Sequence, residues 1–177
     1  MNSSVWLQQL GFLKQEIVQK LNETLGRQMV REILGTFDKE IERKDLSATV
    51  IAEKEPMIIS VDSFRLEQLF INLIENAIKY TERGGIVVRL SRTESLFSAR
   101  VEDSGIGIAR HDLSRIFERF YRGEDPLVLA TPGTGLGLAN SRTLVEMHHG
   151  KIWFTSSGIR GEGSTFAFTL PVYHPEE

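Results

Sequence analysis

Asn72 and Asn76 stand one helical turn apart in the run SFRLEQLFINLIENAIKY (residues 63–80), with Lys79 three residues further on. At roughly 100° per residue, a helix gathers Arg65, Gln68, Asn72, Glu75, Asn76 and Lys79 within an arc of about 100°. Leu66, Leu69, Phe70, Leu73, Ile74, Ala77 and Ile78 make a broad apolar face opposite. Asparagine is a poor helix residue because its amide competes for backbone hydrogen bonds. A merely solvated face would be better served by Glu, Lys and Gln. An i,i+4 ion pair between Glu75 and Lys79 explains those two residues and leaves the asparagines unexplained. The other reading is a site that needs neutral amide oxygens beside a cation.

Three glycine clusters stand at the ends of expected elements: DSGIG (103–107), PGTGLG (132–137) and GEGS (161–164). Each alone is an ordinary turn signal. Together they suggest more. PGTGLGLAN puts a glycine-rich loop at the start of an amphipathic helix, where free backbone N–H groups and the positive dipole end favour phosphate oxygens. The pattern is neither a Walker A motif nor a dinucleotide fingerprint following a strand. Asp103 ends an apolar strand and enters a glycine turn. It is either an Asx-turn residue or a carboxylate placed to accept a hydrogen bond from an exocyclic amine, with bare glycines admitting a flat ring.

These residues need a scaffold, and 177 residues suffice for one substantial core. A net charge of -3 argues against an electrostatic grip on nucleic acid. The absence of cysteine excludes disulfides and thiolate metal sites. His111, His148, His149 and His174 lack ligand spacing, so a zinc site is not expected. No apolar run is long enough to cross a bilayer, and no signal pattern opens the chain, so direct membrane insertion is not expected.

Helical periods cover about Val5–Leu25, Met29–Arg43, Ser63–Tyr80, Arg110–Phe120 and Leu136–Met147. Asp62 or Ser63 is expected to cap the third of these, with Glu67 near the capping-box position and Glu82–Gly85 ending it. Strands are expected at Leu46–Ala52, Met57–Val61, Ile86–Ser91, Leu96–Glu102, Lys151–Ser156 and Ser164–Val172, with a loop over 123–134. Because strands come in adjacent pairs, the fold class is α+β: a two-layer α/β sandwich with a mixed, mostly antiparallel sheet and helices on one face. Residues 1–28 read as an N-terminal helix, the stub of a dimerisation or linker helix. Residues 29–173 form the main domain, and 174–177 a frayed tail.

The order NLIENAIKY, DSGIGI, RIFERFYRG, TGLGLA and GEGSTF closely resembles the N, G1, F, G2 and G3 boxes of the sensor histidine kinase ATP-binding domain. That domain belongs to the gyrase, heat-shock-chaperone, histidine-kinase and mismatch-repair ATPase group, with its Bergerat-type ATP-binding fold. The match spans Met29 to Val172. It implies ATP and Mg2+ as cofactors, with Asn76 as the magnesium ligand. It also implies that Asn72 faces the phosphates, Lys79 serves as a phosphate cation and Arg122 reaches the γ-phosphate. Tyr80 would pack near the nucleoside, and Asp103 would take the adenine amine, with Gly105 and Gly107 shaping its pocket. Phe117 and Phe120 would anchor by packing a mobile lid over 123–134, its Leu127-Val128-Leu129 patch exposed or poorly ordered without nucleotide. Gly133, Thr134, Gly135, Leu136, Gly137 and Leu138 would close over the triphosphate, while Gly161, Gly163 and Thr165 complete the pocket.

By the same resemblance, the water-using ATPases of the group carry a glutamate base where this chain has Asn72, which cannot take a proton from water at neutral pH. Glu75 is rotated about 60° from that position. The implied partner is a phosphoacceptor histidine on a separate dimerisation domain, with a response regulator downstream. No H-E-x-[KR]-[TN]-P segment is present, so the chain is expected to bind ATP and hardly autophosphorylate alone. A cytoplasmic location is implied, including as the cytoplasmic portion of a membrane-bound parent. An ATP-sensing module without phosphoryl transfer, a hydrolysing ATPase and a serine-directed kinase of the same group are the alternatives.

Overall fold

The computed structural model describes residues 27–52 and 61–172. The expected helix Val5–Leu25, most of the strand expected at Met57–Val61, and the tail 174–177 lie outside them. Along the described chain run α1 (Arg27–Thr36), α2 (Asp38–Arg43), β1 (Leu46–Ala52), α3 (Ser63–Tyr80), β2 (Gly84–Arg92) and β3 (Leu96–Asp103). There follow α4 (Pro126–Ala130), α5 (Gly137–Met147), β4 (Lys151–Ser156) and β5 (Ser164–Pro171).

The five strands form one sheet in the order β1-β2-β3-β5-β4. β1 and β2 are parallel, with α3 as their crossover, and the other pairs are antiparallel. Strand alternation sends Ile86, Val88 and Leu90 of β2, Phe97, Ala99 and Val101 of β3, and Phe166, Phe168 and Leu170 of β5 into one core with the apolar stripe of α3. Arg89, Ser91 and Arg100 are exposed on the other face. Phe168 sits at the centre, its ring 5.4 Å from that of Phe70 and 6.0 Å from that of Phe97. The sheet is mixed and mostly antiparallel with helices on one face, as its paired strands require.

Helix α3 spans the expected residues. Asp62 caps it by accepting from the Phe64 and Arg65 amides at 2.9 and 3.3 Å. Glu67 lies beyond reach of the N3 position, which Arg65 occupies, so no capping box forms. The helix stops at Tyr80. Thr81 is extended and buried, its hydroxyl donating to the Ala77 carbonyl at 2.6 Å. Lys44 closes the same end, its ammonium 2.6, 3.0 and 3.3 Å from the carbonyls of Ile78, Lys79 and Thr81. Gly84 and Gly85 therefore begin β2 rather than end the helix.

Two other expected helices differ. Met29–Arg43 breaks at Phe37, after Gly35 and Thr36. The Thr36 hydroxyl donates to the Ile33 carbonyl at 2.7 Å, and the Phe37 amide bonds Leu34 three residues back. The break turns Ile41 into the core. Residues 110–120 form successive turns, with i to i+3 bonds from Asp112 to Ala109, Arg115 to Asp112 and Glu118 to Arg115. Phe120 leaves this segment with φ 65°, which no helix accommodates.

Candidate functional site

A cleft of about 630 Å³ opens between α3, the turn after β3, the loop 121–136 and the first turn of α5. Its size suits a small-molecule ligand. Among the residues singled out from sequence, Asn72, Asn76, Lys79, Tyr80, Asp103, Gly107, Arg122, Gly133, Thr134, Gly135, Gly137 and Leu138 all line it. Gly105, Leu136, Gly161, Gly163 and Thr165 do not.

At one end lies Asp103. Its Oδ1 accepts from the amides of Gly105 (2.9 Å) and Ser164 (3.2 Å), and its Oδ2 accepts from the Ser164 hydroxyl (2.7 Å). Burial raises its pKa against the opposing pull of these bonds. Gly163 makes the arrangement feasible. It takes φ +67°, and a Cβ there would collide with the Asp103 carbonyl. Gly105 holds the floor from behind, its carbonyl accepting from Gly161 at 2.8 Å.

At the other end α3 presents its amides. Asn76 has no side-chain hydrogen-bond partner among the described residues, although it is only half exposed. Asn72 is engaged: its Nδ2 donates to Ser141 Oγ on α5 at 2.6 Å. Its Oδ1 rests against Gly137, where any Cβ would overlap it. Lys79 pairs with Glu75 at 2.9 Å, so the i,i+4 pair forms on the cleft wall. The first turn of α5, entered through Gly135 and Gly137, opens into the cleft between these groups.

The loop over the cleft carries a short helix. Asp125 caps the short helix α4, accepting from the Leu127 amide at 2.8 Å. Val128 faces the cleft while Leu129 is 63% exposed, so the expected apolar patch is split between two surroundings. Arg122 does not reach freely into the cleft. Its guanidinium donates to the carbonyls of Val128 and Thr131. The loop is pinched at its neck by a 2.9 Å bond from the Phe120 amide to the Gly135 carbonyl. Phe117 packs against β4 rather than the loop, 5.9 Å from the Phe154 ring, and Phe120 is 72% exposed.

Some wall residues escaped the sequence reading. Ser164 is one, and its signal was present: it shares strand parity with Phe166, Phe168 and Leu170, whereas Thr165 points through the sheet to the other face. Asp112 is another. It is buried and accepts from the Tyr121 hydroxyl, a bond that raises the phenol pKa, while the Arg115 guanidinium lies 4.1 Å over the same ring. Arg160 also lines the cleft.

A nucleotide with magnesium fits these donors. The Asn76 amide, with no side-chain partner among the described residues, offers a hard oxygen, and the neighbouring Glu75 is ion-paired with Lys79. A magnesium ion there would draw its remaining ligands from phosphates and water, as this ion commonly does.

Comparison with known proteins agrees with this geometry. A model of the histidine kinase-, DNA gyrase B-, and HSP90-like ATPase family matches residues 61–174. A model of the Dna[CI] antecedent, DciA, family matches residues 1–34, most of which lie outside the described residues. Sensor histidine kinase WalK of Bacillus subtilis is 38% identical over 124 residues, covering 68% of this chain and 20% of its own length. Sensor histidine kinase AtsR of Burkholderia thailandensis is 37% identical over 151 residues, covering 83% of this chain and 25% of its own. The chain thus spans a quarter or less of these relatives. The catalytic domain of histidine kinase ThkA superposes with a TM-score of 0.70 at 28% identity, over 81% of this chain and 92% of that one. Full-length ShkA in complex with AMPPNP gives 0.69 at 28% identity, over 84% and 30%. No helix among the described residues is long and apolar enough to cross a membrane. Since the family model covers the greater part of the sequence, including both ends of the cleft, the chain belongs to the histidine kinase-, DNA gyrase B-, and HSP90-like ATPase family.

Proposed function

We propose that the chain is the catalytic ATP-binding domain of a sensor histidine kinase, and that it transfers the γ-phosphoryl group of ATP to a histidine on a separate dimerisation segment. One observation carries the reading. A half-buried carboxylate, Asp103, whose Oδ2 accepts only the Ser164 hydroxyl among the described residues, stands across one cleft from the first turn of α5 and from Asn76, whose amide has no side-chain partner among the described residues. Adenine is held at the first end and the phosphates at the second. The AMPPNP bound by the similar ShkA supports nucleotide as the ligand.

Asp103 accepts from the adenine amine, and Gly107 lets the ring lie against backbone. Tyr80 packs near the nucleoside. Asn76 would hold the magnesium ion, which would supply neutralising charge to the phosphates. Lys79 leaves Glu75 and Arg122 leaves the lid carbonyls to meet the triphosphate, where charge spreads in a loose transition state. In the transfer, an imidazole nitrogen forms the new P–N bond as the bond from the γ-phosphorus to the bridging oxygen breaks. The electron pair goes to ADP, and the imidazole proton to solvent. Asn72 disfavours hydrolysis, because an amide donating to Ser141 has no basicity to offer water.

Incubating the chain with γ-labelled ATP, with and without a dimerisation domain bearing a phosphoacceptor histidine, tests the reading. Acid-labile label should appear on the added domain only. Comparable phosphate release to water without it would favour an ATPase instead.

A further inference from the structure

Arg160 lies in the hairpin loop between β4 and β5 and forks between two carboxylates. Its Nη1 is 2.6 Å from Glu82, two residues past the end of α3, and its Nη2 is 2.8 Å from Asp125 at the root of α4. Asp125 is thereby shared: Oδ1 caps α4 through the Leu127 amide while Oδ2 meets the guanidinium. None of the three belongs to the motifs that the sequence resemblance marks. The hairpin loop itself is held firmly, by Gly161 donating to the Gly105 carbonyl at 2.8 Å and Ser156 donating to the Gly163 carbonyl at 2.8 Å. Arg160 is therefore attached to the floor that carries Asp103, and it reaches across the cleft mouth to the lid.

We infer that Arg160 is a positioning residue that latches the lid over the nucleotide cleft, acting through the helix cap Asp125. The inference rests on the nucleotide reading of the cleft for its purpose, though not for its geometry. Exposure decides what sort of latch it is. The side chains of Arg160, Asp125 and Glu82 are 53%, 31% and 58% exposed, so each arm is weak and screened by salt. Such a latch holds the lid closed on average and yields readily, which is what entry and release of a ligand require. It also gives the lid two independent ties: Arg122 organises it internally through Val128 and Thr131, and Arg160 fastens it to the body.

Hydrogen exchange of the α4 amides in the nucleotide-free chain tests this, together with the release rate of a fluorescent ATP analogue. Arg160→Met should speed exchange at Leu129 and Thr131 by about threefold or more at low salt, without changing exchange in α3 or the central strands. In roughly 1 M salt, where the screening length falls to about 3 Å, the wild type should approach the variant. Asp125→Asn, which keeps the cap and loses the charge, should mimic Arg160→Met, and the double variant should go no further. Analogue release should quicken in the same variants. Equal lid exchange in wild type and Arg160→Met at low salt, or additive effects of the two substitutions, would overturn the latch. A wild-type chain that fails to bind the analogue at all would instead overturn the nucleotide reading, leaving the exchange result to decide the latch by itself.

Discussion

The side-chain amide of Asn72 donates to Ser141 Oγ across 2.6 Å, joining the helix that carries the cleft's amides to the helix whose first turn rims it. The contact is close enough that Gly137 can have no side chain. Gly137→Ala should therefore push α5 away from α3, costing about 1–3 kcal/mol of stability and most nucleotide affinity. Ser141→Ala should cost about 1–2 kcal/mol by leaving a half-buried donor unpaired, with a smaller loss of binding. Denaturant melts and analogue titrations separate the two, and a stable Gly137→Ala chain with full affinity would contradict the packing.

Asn76 has the opposite character. With no partner among the described residues, Asn76→Ala should shift stability by less than about 0.5 kcal/mol, while magnesium-dependent nucleotide binding disappears. Calorimetric titrations with magnesium and with EDTA provide the check. Wild-type affinity in the variant would remove Asn76 from the site.

Asp103 predicts a pH dependence. Burial raises its folded pKa above the unfolded value, so between those two values the folded chain binds more protons than the unfolded one. Its contribution to stability is greatest below the unfolded pKa and declines as pH rises through the folded one. Asp103→Asn keeps acceptors for Gly105 and Ser164 and removes that decline, so its melting temperature at neutral pH should equal or exceed the wild type's. Adenine binding should nonetheless fail, because an amide N–H would face the exocyclic amine. In the wild type, affinity should weaken as acid protonates Asp103, beginning above the ordinary aspartate range.

Arg122 donates to two lid carbonyls from one nitrogen, Nη2, of a planar guanidinium that a lysine ammonium replaces poorly. Arg122→Lys should slow phosphoryl transfer to a supplied histidine domain by about 10²-fold. Its effect on nucleotide affinity should be much smaller. Single-turnover labelling distinguishes these, and an unchanged transfer rate would leave Arg122 with only its role in the lid.

Lys44 stands outside the cleft yet holds three carbonyls at the end of α3. Lys44→Met should lower stability by about 1–2 kcal/mol by leaving those carbonyls without a donor. Binding to the folded chain should change little. A shift in analogue affinity larger than the shift in stability would show that the helix end communicates with Lys79 and Tyr80.

Local order was largely legible from the chain. Helix α3 shows its 3.6-residue period, its Asp62 cap and its odd pair of asparagines without any tertiary information, because each depends on residues within a turn or two. The five described strands were legible from alternation. Other outcomes depended on partners far away in sequence. Residues 110–120 carry a helical pattern, but Asp112 is drawn to Tyr121 and the segment closes into turns. The boundary between Ser164 and Thr165 on the cleft wall was decided by strand parity against a core that only the folded sheet supplies. The sequence by itself determined which residue types could meet a nucleotide. Only the tertiary structure decided which of them are free to do so: Asn76 has no side-chain partner among the described residues, whereas Asn72, Lys79 and Arg122 are held by Ser141, Glu75 and the lid. Hydrogen bonds across 69 residues, as between Asn72 and Ser141, leave no trace in local spacing, because the chain between them can close in many ways and packing selects one.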